Sequence, residues 1–132
     1  MTKQEKKIIM EMLRKNDIHG LISLASFQAE MFVSLYSELN NTYLTDVMVD
    51  ARTDFHLSVV GFANQRSFVI GGLSFGYSGS GSKTLRDILI ANGLPEDQAG
   101  IILKQRDNQT DLTYLLWDRT TQKIIIKDVE KN

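Results

Sequence analysis

Between residues 71 and 86 the chain gathers groups suited to capturing an anion. Five of its nine glycines stand at 71, 72, 76, 79 and 81, serines stand at 78, 80 and 82, and Lys83 and Arg86 follow. Glycine reaches positive φ cheaply and lets a ligand or another stretch of backbone come close. Serine adds a hydroxyl without bulk. Where such a turn leads from a strand into a helix, the first helical N–H groups are unpaired and the dipole end is positive, which favours a phosphate or carboxylate. The spacing predicts that junction at residues 76–82, with Ser82 placed to cap a helix opening near Lys83. The candidate ligand-binding residues are Gly76, Tyr77, Gly79, Ser80, Gly81, Ser82, Lys83 and Arg86, Tyr77 as a ring on which a base stacks. The same composition also suits a plain tight turn, because glycines in and after strands mark bulges and close packing.

Familiar catalytic patterns fail in specific ways. A Walker A loop needs G-x-x-x-x-G-K-[ST]. Lys83-Thr84 matches its end, but Ser82 and Tyr77 occupy the two glycine positions. The Rossmann spacing G-x-G-x-x-G is absent, since the glycines run 76, 79, 81, and no sequential βαβ units surround them. A Ser–His–Asp set can be written from Ser78, His56 and Asp54, yet Gly76-Tyr77-Ser78-Gly79 misplaces the second glycine of a nucleophile elbow. Asp46, Asp50 and Asp54 recur every four residues with His56 nearby. On a helix they share a face and resemble a metal site; on a strand their even numbering sets them on one polar face. The reading is of a non-enzymatic domain with no cofactor.

The segment Leu73-Ser74-Phe75-Gly76-Tyr77-Ser78-Gly79-Ser80-Gly81-Ser82-Lys83-Thr84-Leu85 resembles a strand, G-Y-G-G-x-G-P, helix element found in small proteins of phages and their bacterial hosts. This chain keeps Gly76-Tyr77, Gly79 and Gly81, and has Ser78 and Ser82 where a glycine and the proline stand. The likeness covers about a tenth of the chain. Some phage proteins of this size sequester nucleotide signals of bacterial immune systems such as Thoeris, so the resemblance implies a nucleotide sponge acting against host defence.

The surrounding elements follow from periodicity. Residues 2–15 read as a helix through Ile8, Ile9, Met12 and Leu13. Asn16-Asp17 and Gly20 break it, and residues 21–39 read as a second helix through Leu24, Met31, Phe32, Leu35, Tyr36 and Leu39. Residues 43–52 fit either a strand, alternating Tyr43, Thr45, Val47 and Val49, or a helix with Leu44, Val47 and Met48 inward. Two strands follow around a turn at 63–66, the second spanning 67–75 with the composition of a buried central strand. Residues 83–92 are helical through Leu85, Ile88 and Leu89, and Gly93 is a natural stop. Pro95, Glu96 and Asp97 open another helix carrying Ala99, Ile102, Leu103 and Arg106. A closing hairpin joins 112–117 to 123–129 across Arg119-Thr120-Thr121. The run Ile124-Ile125-Ile126 suggests a strand covered on both sides, and residues 127–132 read as a frayed end. Trp117 and Tyr114, of unlike parity, fall on different faces: one core, the other free to stack on a base or line an interface.

The order of elements predicts a single α+β domain over 1–132: two N-terminal helices, a mostly antiparallel sheet, two central helices and a C-terminal hairpin. With 132 residues and 42% hydrophobic content, such a domain buries a full core. No cysteine is present, which removes disulfides, thiol catalysis and cysteine-held metals and accords with a cytoplasmic setting. The opening residues 1–7 mix charges without an apolar signal core, and no apolar run reaches membrane-spanning length. The net charge of −1 disfavours duplex nucleic acid; the basic residues Lys3, Lys6, Lys7, Arg14 and Lys15 read as a solvated helix face. The expectation is a binder of an anionic metabolite, a nucleotide foremost, assembled as a homo-oligomer through Ile8, Ile9, Met12, Phe32 and Tyr36. The rival expectation is a protein-interaction module, such as an inhibitor or immunity-type protein, in which the glycine loop is only structural.

Overall fold

Thr2 starts the first helix. Its hydroxyl accepts the Glu5 N–H while the Glu5 carboxylate accepts the Thr2 N–H, both at 3.1 Å, a reciprocal cap that opens α1 (Lys3–Arg14). A computed structural model describes residues 2–50, 57–105 and 113–128. Asn16, at φ 53, ends the helical path. Asp17 then caps a short α2 (Ile18–Ile22) by accepting the Gly20 N–H at 2.9 Å, so Gly20 lies inside this turn. The helix expected over 21–39 is therefore two pieces, α2 and α3 (Ser26–Leu39). Ala25 is extended between them, its N–H on the Gln28 side chain.

The ambiguous segment is a strand, β1 (Leu44–Asp50), because β2 (Ser58–Phe62) and β4 (Thr113–Asp118) pair with it on either side. The sheet order is β3-β2-β1-β4-β5, all antiparallel, with β3 at Phe68–Ile70 and β5 at Lys123–Asp128. Two expectations are corrected here. The run 67–75 yields a three-residue strand at the sheet edge, not a central one. The chain leaves the sheet at Gly71 and Gly72, and Leu73 and Phe75 are buried beyond it. The triple isoleucine run lies in the other edge strand with Ile125 exposed, so it is not covered on both sides. Lys127 and Asp128 belong to β5 and not to a frayed end; Asp54, His56, residues 129–132 and the Arg106 end expected of the helix opened at Pro95 lie outside the described residues.

One face of the sheet is packed under the helices. Val47, Val49, Val60, Phe62, Phe68, Ile70, Leu115 and Trp117 join one core with Ile9, Phe32, Leu85 and Leu89. Phe32, Tyr36, Phe62 and Phe68 form an aromatic cluster with ring centroids 4.6–6.3 Å apart. Helix α4 (Ser80–Ala91) ends as its sequence suggests. Gly93, at φ 110, donates to Ile90 O, and Leu94 donates to Leu89 O, the paired bonds of a glycine-terminated helix. A short α5 (Glu96–Ala99) runs into a 3₁₀ turn at Gly100–Ile102. No helix among the described residues is long and apolar enough to cross a membrane.

Candidate functional site

At the glycine junction most of the glycines stand in close contact with neighbouring backbone. A Cβ on Gly71 would run into the carbonyl of Ile22, and one on Gly72, at φ 90, would lie 2.8 Å from the carbonyl of Ala25. The α2–α3 connector passes directly against this corner, tied to it by the Gly71 N–H on Leu21 O at 2.9 Å. Gly76 is buried at φ 87, its N–H donating to Ile102 O at 2.9 Å. Gly81 faces the Ser74 hydroxyl and the Gly72 carbonyl so closely that a side chain has no room.

Helix α4 begins at Ser80 with Gly79 as its N-cap, three residues before the expected start. Ser82 is therefore the third helical residue instead of the cap. It is fully buried, and its hydroxyl lies 3.3 Å from that of Ser74, itself buried. Lys83 and Ser80 are exposed and Tyr77 stands at the surface, while the Arg86 guanidinium is held by the neighbouring Asp87 at 3.1 Å. The helix end carries no side-chain cap and no acid in its first turn. Thus Ser80 and Lys83 share one exposed corner beside half-buried Gly79, against which the Tyr77 ring lies, whereas Gly76, Gly81 and Ser82 belong to the packing beneath it.

The remaining candidates do not assemble. Asp46 and Asp50 lie on β1, where their parity sets them on the same face. Among the described residues no three metal-ligating side chains converge. His19 is exposed on α2 and Ser78 is exposed in the loop, and the other two members of the written triad lie outside the described residues.

The sequence reading missed the second face of the sheet. Strand register places Val69, Val59, Met48, Leu116 and Ile125 side by side, one from each strand in the order β3 to β5. At about 4.8 Å per strand this apolar row is about 19 Å long. Its ends are open, Val69 at 43% and Ile125 at 55% exposure, and its middle three members are half-buried. Asp46 and Asp118 are direct cross-strand neighbours on one flank with Lys123 beyond them; Asp50, Tyr114 and Lys127 form the other. The signal was present as apolar residues of both parities in β2, β4 and β5.

No protein-family model, curated protein or solved structure matches the chain. The likeness to the phage loop element stands on its own few residues.

Proposed function

We propose that this domain is a protein-interaction module that docks a partner on the open face of its sheet. The apolar row from Val69 to Ile125 carries this reading. A contiguous apolar strip rimmed by charges is the mark of a docking surface, and none of its five members belongs to the core under the helices. The rim defines the partner's chemistry. A second copy laid face to face by a two-fold axis along the strands sets Asp46 over Asp46, and an axis across the strands sets Asp46 over Asp50. Like charges meet in either arrangement, and such juxtaposition is selected against. The fitting partner presents an apolar ridge with basic groups opposite Asp46 and Asp118. Three residues invoked for self-association, Ile9, Phe32 and Tyr36, are occupied in the chain's own core.

The test places a photo-crosslinking residue at position 125 and, as control, at position 27, where Phe27 is 60% exposed on α3. In an extract of the source cells the first variant should capture one protein and the second should not. Capture should vanish when Val59 and Leu116 are changed to Asp. A conjugate with a second copy of this chain, equal capture at both positions, or no capture at all would overturn the reading.

A second reading keeps the anionic metabolite, a nucleotide foremost, at the uncapped end of α4. The absence of any side-chain cap or first-turn acid beside exposed Lys83 favours it. Linear and cyclic nucleotides should then raise the melting temperature of the wild type and do so less for Lys83→Ala, with added salt mimicking the loss. A screen without any stabilising nucleotide leaves the corner as a turn.

A further inference from the structure

On the helical side of the sheet, residues of α1, the end of α3 and the β2–β3 turn line a cleft of about 330 Å³. Its floor is aromatic. Tyr36 and Phe68 are almost wholly buried, with ring centroids 4.8 Å apart and planes at 71°. Met10 and Leu13 of α1 and Leu39 of α3 form aliphatic walls, Met10 and Leu39 standing half open at 47% and 53%. Two guanidiniums reach the cleft, and they differ. Arg14 is bound through two nitrogens to the Glu11 carboxylate. The Arg66 guanidinium sits over the Phe68 ring, its carbon 4.6 Å from the centroid, and no acid among the described residues pairs with it. A guanidinium held over a ring by its charge keeps N–H donors for an acceptor. The volume falls in the range of small-ligand sites, about 300–1,000 Å³, and Arg14, Asn40 and Arg66 make the lining about as polar as apolar.

We propose that this cleft is a binding site for a small amphiphilic oxyanion, its apolar body lodged against the Met10, Leu13 and Leu39 walls and its carboxylate or phosphate taken by the Arg66 guanidinium. The guanidinium suits either oxyanion because both present two coplanar oxygens to it. Bulk anions without an apolar body gain only one exposed charge contact, and neutral analogues gain only the aliphatic walls. The site is built from α1, α3 and the β2–β3 turn, on the opposite side of the sheet from the apolar row, so it stands or falls independently of protein docking there.

The experiment is an NMR titration of the full chain with four probes: 1-naphthoate, 1-naphthyl phosphate, the neutral 1-naphthalenemethanol, and inorganic phosphate. The expected result is saturable shifts at the amides of residues 10–14, 36–40 and 66–68 with one or both naphthyl anions. The neutral probe should bind at least tenfold more weakly and inorganic phosphate should not saturate. The stronger naphthyl anion tells carboxylate from phosphate preference. In Arg66→Gln, which removes the charge at an exposed position, anion affinity should fall at least tenfold to that of the neutral probe, while Arg66→Lys should retain part of it. Leu39→Glu, at a half-exposed wall position, should abolish binding of both anions with the amide spectrum otherwise unchanged. The proposal is overturned if neither anion shifts these amides, if the shifts centre on the α1 lysines or the open sheet face, or if Arg66→Gln binds the anions as the wild type does.

Discussion

Replacing Gly81 by alanine separates a packed corner from a ligand cradle, because two effects of opposite sign meet at this residue. Gly81 is the second residue of α4, where alanine gains up to about 1 kcal/mol over glycine in helix propensity. The added methyl, however, would overlap the Ser74 hydroxyl and lie 3.1 Å from the Gly72 carbonyl and 3.2 Å from the Ser74 nitrogen. None of these neighbours yields easily. The Ser74 hydroxyl is buried against that of Ser82, and the backbone at 71–72 is fixed by the Gly71 hydrogen bond to Leu21 and by the positive φ of Gly72. Overpacking of this kind costs about 1–3 kcal/mol, so the clash wins and the net loss is about 1–2 kcal/mol. At about 3–5 °C per kcal/mol for a chain of this size, Gly81→Ala should melt about 3–10 °C below the wild type. Urea unfolding of a double-mutant cycle with Ser74→Ala isolates the cause. With the hydroxyl gone, the penalty of Gly81→Ala should shrink by about 1 kcal/mol, since only the backbone contacts remain. A Gly81→Ala protein that melts higher than the wild type, or a penalty unchanged by Ser74→Ala, would refute the packing account and return this glycine to the ligand reading.

Two further outcomes follow from buried and paired polar groups. The Trp117 indole is 1% exposed and its Nε1 has no hydrogen-bond partner among the described residues. Trp117→Phe, which removes that unpaired donor with part of the ring volume, should cost about 1–2 kcal/mol against about 3–5 kcal/mol for Trp117→Ala; equal costs by chemical denaturation would mean that Nε1 has a partner. Hydrogen bonds from Arg14 and Lys15 lower the Glu11 carboxyl from its ordinary 4.5 to about 2. Because the folded value is the depressed one, any stabilisation is present above the ordinary range and lost as pH falls from about 4.5 through about 2; the pair is exposed, so that effect on unfolding is small. Carbon-detected NMR titration should place the Glu11 midpoint near 2 at low salt and higher in Arg14→Gln or with added salt, and a midpoint near 4.5 in the wild type would show that the pairing does not persist in solution.

Local signals in the sequence were read correctly where one physical effect dominates. The step of Leu85, Ile88 and Leu89 gave α4 its buried face, and Gly93 stopped it because only glycine takes φ 110 without strain. Asn41 and Asn64, both at positive φ, ended α3 and turned β2 into β3 as their side chains favour. The start of α4 was misplaced because Ser82 looks like a cap in isolation, and only the fold reveals Ser74 across from it. The split of α2 from α3 was hidden for a related reason. The apolar period runs through 21–39 without a breaker, and the pause at 23–25 is fixed by contact with Gly71 and Gly72, some 47 residues later in the chain.

The larger misreading concerns what a continuous apolar run means in a strand. A strand buried on both faces and a strand with one buried face and one docking face carry the same residues, because both need apolar side chains at both parities. Ile124-Ile125-Ile126 and Phe68-Val69-Ile70 therefore pointed to central, doubly covered strands, yet they are the two edges of the sheet. Charge pattern breaks the tie. A doubly buried strand has no place for Lys123 and Lys127 on the same face as Ile125, nor for Asp46 on the same face as Met48, since unpaired charges are not buried under a second layer. Apolar centres flanked at two-residue steps by charges fit the proposed docking face, wet in the free protein and dry once a partner covers it. An edge strand with lysines at both ends also resists pairing with its own copies: antiparallel self-pairing centred on Ile125 sets Lys123 opposite Lys127. In the proposed docking role, the same lysines that oppose self-pairing of β5 favour a partner with different charges on the open face.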